Sequence, residues 1–270
     1  MTLRILVTND DGINASGLEV AESIAKKLAT KKGRVVTVAP AVDQSGVGHS
    51  ISYLRPSLIL KHSDDRYSVE GSPADCVLAG IYHVMQDYRP DLIISGVNNG
   101  HNIAEDIVYS GTVGAAMEGA LQGIKSIAIS QCYSKDSLSF EDPFESSREL
   151  GANICSKLLS LNDFGSKPYG TFYNLNFPAT RSVDITGVKA CRQGRRQIGS
   201  FSMDPTLAPN GRTFLMVNHK PSKSENVTVN SFETDIEKNQ NNYVTVTPLK
   251  ADLTEFAKLE TLTKIFENDF

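Results

Sequence analysis

The chain has 270 residues, of which 40% are hydrophobic and 21% charged, with a net charge of −4. That balance describes a globular protein with a sizeable core. It leaves no electrostatic footprint for a nucleic-acid duplex or an anionic membrane, and no apolar stretch approaches the roughly 20 residues needed to span a bilayer. Cys76, Cys132, Cys155 and Cys191 lie far apart without metal-type spacing, and the first apolar run begins almost at once. Reduced thiols and a cytoplasmic location are therefore expected.

Residues 4–8 (RILVT) form a short β-branched run, and 17–31 carry apolar residues at helical spacing. Further runs follow at 34–40 (RVVTVAP), 90–96 (PDLIISG) and 125–130 (KSIAIS). Each is nearly continuous in Val, Ile and Leu, as in strands covered on both faces of a parallel sheet. Helical stretches are predicted at about 73–88, 112–122 and 142–161, and a small inserted hairpin over 51–70. The alternation predicts an α/β fold, a doubly wound, mostly parallel sheet. Past about 170 the pattern changes: TFYNLNFP and NYVTVTPL read as strands, and Leu253 to Phe266 as a closing helix. The Gly- and Pro-containing stretch between those strands reads as an extended polar hairpin over about 188–220. It has too little core of its own, so it is expected to pack on another subunit. The division is then a catalytic domain over 1–180 and a C-terminal hairpin, strand and helix over 181–270.

In doubly wound sheets, ligands bind beyond the carboxyl ends of the strands, and the polar segments fall there. The first strand ends in Asn9, Asp10, Asp11 and Gly12; the second leads into DQSGVGHS (43–50). A third leads into SGVNNGHN (95–102), followed by YSGT (109–112) at a helix start. Two adjacent carboxylates repel unless a cation sits between them. Asp10 and Asp11, with Asn98 and Ser45, would supply a hard, all-oxygen set suited to Mg²⁺, Mn²⁺ or Ca²⁺ and unsuited to zinc. The bland alternative makes Asp10-Asp11-Gly12 a turn that caps a helix.

Gly46 and Gly48 flank a loop whose N–H groups could surround an oxyanion. Ser110 reads as the cap of a helix opened by Gly111 and Thr112, an N-terminus suited either to plain capping or to phosphate. Ser72-Pro73-Ala74-Asp75 has capping-box spacing and reads as structural. His49 could act as an acid, bind phosphate or shape its loop. Arg192, Arg195 and Arg196 read as a solvated basic face that could also reach an anionic substrate.

Two other classes fit poorly. A dinucleotide-binding enzyme requires G-x-G-x-x-G after the first strand, where this chain has acids. A Mg²⁺-binding phosphorelay receiver also carries an acid pair, but its acceptor aspartate would follow Ile94-Ser95, where Gly96 stands.

Together, ILVTNDDGINASGL, DQSGVGHS, GSPADC, DLIISGVNNGHN, DIVYSGTVGAAMEGA, SIAIS and NLNFP resemble the SurE family of stationary-phase survival proteins, which are 5′/3′-nucleotidases. The likeness spans about the first 180 residues in order, and is looser through CRQGRR and VTPLKADLT. Ala41 and Ala104 depart from the aspartate and glycine usual in the family. The resemblance implies a Rossmann-like catalytic domain and one Mg²⁺ or Mn²⁺ per subunit on Asp10, Asp11, Ser45 and Asn98. It further implies hydrolysis of nucleoside monophosphates, in some members of short polyphosphate, by a homodimer or homotetramer. Asp10, Asp11 and Asn98 are then the catalytic residues. Gly46, Asn102, Ser110, Gly111 and Thr112 would cradle the phosphate, with His49 as an acid or further contact.

Overall fold

A computed structural model describes residues 2–134, 137–161, 164, 169–196, 201–219 and 232–267. Its centre is a nine-stranded sheet. The first strand, β1 (Arg4–Thr8), lies between β2 (Arg34–Pro40) and β5 (Leu92–Asn99), parallel to both. Beyond β5, also in parallel, come β6 (Lys125–Gln131) and β7 (Phe172–Phe177). The chain therefore winds one way from β1 to β2 and the other way from β1 to β5. This reversal opens a crevice at the carboxyl ends of β1 and β5.

The inserted hairpin is real and sits at one sheet edge. Its second strand, β4 (Arg66–Val69), runs parallel to β2, and β3 (Ile59–Ser63) runs antiparallel outside it. At the other edge the sheet continues past residue 180. There β11 (Tyr243–Leu249) pairs antiparallel with β7, and β8 (Gly187–Ala190) runs parallel to β11. Residues 188–190, expected in the long hairpin, are thus part of the central sheet. Only β9 (Phe201–Leu207) and β10 (Thr213–His219) form the separate two-stranded ribbon. That ribbon is also less polar than its Gly and Pro content suggested, because Phe201, Met203, Leu207, Phe214, Leu215, Met216 and Val217 are all exposed.

Helices cover both faces. On one, α1 (Ser16–Ala29) and α5 (Glu145–Leu159) join Ile5, Val7, Ile94, Ile127, Leu175 and Phe177 in the largest core cluster. On the other, α2 (Pro73–Ala79) packs with Leu6, Val36, Val38 and Ile93. The 73–88 helix is shorter than expected and widens into a π-helical turn at Gly80–Val84. It starts on the anticipated capping box: Ser72 Oγ accepts from Asp75 N, and Asp75 accepts from Ser72 N. The central helix α4 (Gly111–Leu121) follows the short α3 (Asp106–Tyr109) and packs Val113, Ala116 and Ala120 on Ala128 and Phe172. A short α6 (Asp235–Gln240) precedes β11, and α7 (Phe256–Phe266) closes the described chain with no buried residue. All four cysteines are free.

The register of β1 against β5 is anchored where the two strands begin. Arg4 N and Nε donate to Asp91 Oδ2 at 2.8 and 3.0 Å, and Arg4 Nη2 donates to Oδ1 at 2.6 Å. The Arg4 hydrogen bond holds the Asp91 carboxyl below its ordinary value, so the pair adds stability above the unfolded carboxylate pKa and loses it as pH falls. The side chains are 42% and 33% exposed, so solvent screening keeps the contribution small. Asp91→Asn should lower stability at pH 7 by about 0.5–1 kcal/mol, with the gap closing as pH falls below the ordinary carboxylate range. Urea melts at several pH values check this.

Candidate active site

The polypeptide turns sharply after β1, and Asn9 closes the turn by donating from Nδ2 to Gly12 O at 2.9 Å. Neither aspartate caps α1, whose N-cap position is Ala15 with no side-chain cap bond. Asp10 is buried and directed at the start of α4, where the Thr112 hydroxyl donates to its Oδ1. A Cβ on Gly111 would lie 2.8 Å from Asp10 Cβ and 3.0 Å from Oδ2. Only glycine lets the helix terminus approach the carboxylate this closely.

Asp11, half-buried, accepts from Asn99 N at 3.0 Å, which ties it to the end of β5. Beside it, Asn98 Nδ2 donates to Gly100 O at 2.9 Å, fixing the amide and leaving Oδ1 as its acceptor. The loop after β2 returns to the same place, with Gln44 N donating to Asp10 O at 2.8 Å. Ser45 lies on this loop, and its N and Oγ donate to Asp43 Oδ1 at 2.7 and 2.6 Å. Four segments from the ends of β1, β2 and β5 and the start of α4 are thereby linked.

Electrostatically, the crevice is an uncompensated acid pair. Burial pushes Asp10 up to about 6; the Thr112 hydroxyl and N–H oppose this, while Asp11 adds repulsion. Asp11 is also raised, first by burial and then by Asp43, against the Asn99 hydrogen bond. Among the described residues, no Lys, Arg or His forms an ion pair with either aspartate. Nor do three His, Cys, Asp or Glu side chains gather there as a metal-holding group. The donor set consists of two carboxylates with nearby amide and hydroxyl oxygens. That chemistry fits a hard divalent cation, which would supply the positive charge the pair lacks.

The family model for survival protein SurE matches residues 5–200. The chain belongs to the SurE family. A 5′-nucleotidase SurE from Jannaschia sp. (strain CCS1) is 48% identical over 98% of this chain and its own full length. A 5′-nucleotidase SurE from Cereibacter sphaeroides (strain ATCC 17023) is 48% identical, covering 96% of this chain and 98% of its own. The solved SurE protein from Aquifex aeolicus has a TM-score of 0.76 at 35% identity, with 97% of this chain and 99% of that chain covered.

Several of the expected phosphate contacts have partners within the protein, and Ser110 sits at the cap position read from the sequence. Thr112 is fully buried and holds Asp10, so its hydroxyl faces the carboxylate, and the α4 N-terminus meets an anion the protein itself provides. Asn102 is buried among side chains of β6 and β7. Its Nδ2 donates to Ser130 Oγ at 2.8 Å, its N to Asn176 Oδ1 at 2.7 Å, and its carbonyl accepts from Asn174 Nδ2 at 2.7 Å. It therefore braces the loop from inside. Ser110 is the α4 cap, accepting from Val113 N at 3.1 Å. Gly46 is exposed with φ +78° and open space where a Cβ would stand, as a loop near substrate allows. The receiver alternative meets a steric bar, since any Cβ at Gly96 would lie 2.1 Å from Ile129 O.

Arg196 corrects the expectation of a solvated basic face. It is buried and grips Asp106 through Nη1 and Nη2 at 2.7 and 2.6 Å, with Nη2 also 3.1 Å from His101 Nε2. Asp235, which the sequence did not single out, accepts from Gly194 N at 2.8 Å and Ala104 N at 3.2 Å. No local motif marks it, because its partners are 131 and 41 residues distant. Arg196→Ala removes both hydrogen bonds to Asp106, leaving His101 Nε2 3.8 Å from its carboxylate, and should cost about 2–4 kcal/mol in urea unfolding; Arg196→Lys should restore only part because an ammonium cannot make both bonds.

Proposed function

We propose that this chain is a metal-dependent phosphomonoesterase that hydrolyses nucleoside 5′-monophosphates. The same chemistry extends to 3′-monophosphates and short polyphosphate. The observation that carries the reading is the adjacent pair at the sheet's switch point, Asp10 buried and Asp11 half-buried, which no Lys, Arg or His among the described residues pairs. Its support is a family whose relatives, at 48% identity, are named 5′-nucleotidases.

Asp10, Asp11, Asn98 and Ser45 are the residues that would hold one Mg²⁺ or Mn²⁺. Bound there, such an ion neutralises charge developing on a phosphoryl group and lowers the pKa of water. Asp10 is kept in place by Thr112 and Gly111, and Asp11 by Asn99 N, so the acid pair needs no reorganisation during the reaction. The exposed turn at Gly46 presents backbone to the phosphate oxygens. Neither aspartate is assigned as a nucleophile, because a carboxylate engaged with a cation is a poor one, and water is the attacking group.

The C-terminal third supports assembly into a dimer or tetramer. The β9–β10 ribbon exposes a row of apolar side chains, and α7 exposes Phe256, Leu259, Leu262, Ile265 and Phe266. Faces of this kind require a partner surface. Light scattering at micromolar protein should report at least a dimer; a compact, active monomer would refute this.

Asp10→Asn and Asp11→Asn should each reduce AMP hydrolysis by at least about 10²–10³-fold, the usual effect of losing a preorganised electrostatic contact. The fold should survive, because each change removes one of two repelling carboxylates. Hydrolysis assays across Mg²⁺ and Mn²⁺ concentrations, beside thermal melts in chelator, check both halves. Near-normal turnover in both variants would reduce the pair to a structural turn.

A further inference from the structure

The loop 43–49 carries Ser45 and Gly46 and is exposed over most of its length. Its start is pinned by Gln44 N on Asp10 O, and its end by Gly48 N, which donates to Tyr109 O at 2.8 Å. Gly48 also packs against α4, where a Cβ on Gly114 would lie 2.5 Å from Gly48 O. One side-chain contact completes the attachment. His49 Nε2 lies 2.6 Å from Glu118 Oε2, and Gln122 Nε2 donates to Glu118 Oε1 at 2.7 Å. Glu118 is buried in the middle of α4, the helix whose first turn holds Asp10.

We propose that Glu118 is a positioning residue that latches His49, and through it the 43–49 loop, onto the helix that orients Asp10. A buried carboxylate is retained on a helix face only when it is well paired, and His49 and Gln122 supply that pairing. Burial works against the charged form of Glu118, but the hydrogen bonds from His49 and Gln122 hold its carboxyl below the ordinary value. It therefore stays ionised as an acceptor. The latch adds a side-chain tie to the two backbone hydrogen bonds and the Gly48–Gly114 packing that hold the loop near Asp10. His49 acts here through Glu118 and touches no substrate.

This inference rests on the nucleotidase reading only for its kinetic arm. Hydrogen exchange tests it independently: in His49→Ala and Glu118→Ala, the Gly48 amide should exchange at least about tenfold faster, with α1 and α5 amides unchanged. Each variant should lose about tenfold in kcat/KM on AMP, and the double variant should lose about tenfold as well, since one contact is broken either way. Glu118→Gln, which keeps a hydrogen-bond acceptor for His49, should recover most of both effects, and a thermal melt confirms that it folds. The losses should be equal on AMP and on p-nitrophenyl phosphate, whose leaving group needs no proton. Unchanged Gly48 exchange, or a hundredfold loss in the double variant, would overturn the latch. So would a loss confined to AMP, which would make His49 a general acid. A wild-type chain inactive on every nucleotide would overturn the function above, while the exchange result would still decide the latch.

Discussion

A carboxylate buried against a helix N-terminus is the constraint on which the rest of this site depends. Asp10 follows a strand with no exposed residue after Arg4, so its main chain cannot move without disturbing the core. Its side chain meets the first turn of α4, whose N–H groups and partial positive charge favour an anion. Burial opposes that charge more strongly than Thr112 and the helix support it, and the carboxyl rises to about 6. Asp10 is thus an anion held in position but poorly compensated. A cation beside it would relieve the burial penalty and the repulsion from Asp11 together.

The neighbouring glycines follow from the same crowding. Gly111 must lack a side chain for α4 to reach Asp10, and Gly114 must lack one for the 43–49 loop to lie across the helix. Both are consequences of α4 being used from two sides at once. The small residues on its inner face serve the sheet, while the outer face carries the loop and Glu118. The sequence GTVGAAMEGA is therefore less a generic alanine-rich helix than a rod thinned where other backbone must approach.

Much of this was legible in the sequence. Continuous Val, Ile and Leu runs marked the buried parallel strands, and polar segments after each run marked the sheet edge, because both patterns are local. The capping box at Ser72 was legible for the same reason. Long-range partners were not. Composition made Arg196 resemble a surface cation, yet it is buried because Asp106, 90 residues earlier, folds beneath it. Glu118 gave no signal, since its histidine lies 69 residues away. Thr112 was legible as part of a helix start, but whether its hydroxyl faces a ligand or Asp10 depends on where β1 ends in space.

The same separation explains why the C-terminal third cannot be treated as an appendage. The loop from Asn98 to α4 passes through Ala104, whose φ of 52° is left-handed for a residue with a Cβ. Such a conformation costs about 1–2 kcal/mol and persists only where the surroundings impose it. They do so from the C-terminal side: Asp235 accepts from Ala104 N, and Gln193 Nε2 donates to Ala104 O at 2.8 Å. Arg196 then clamps Asp106 two residues further on. Segments that sequence places beyond the catalytic domain thereby set the path of the loop joining Asn98 to Thr112. Residues 193–196 and Asp235 thereby brace the loop whose two ends, at Asn99 and at Thr112, hold Asp11 and Asp10.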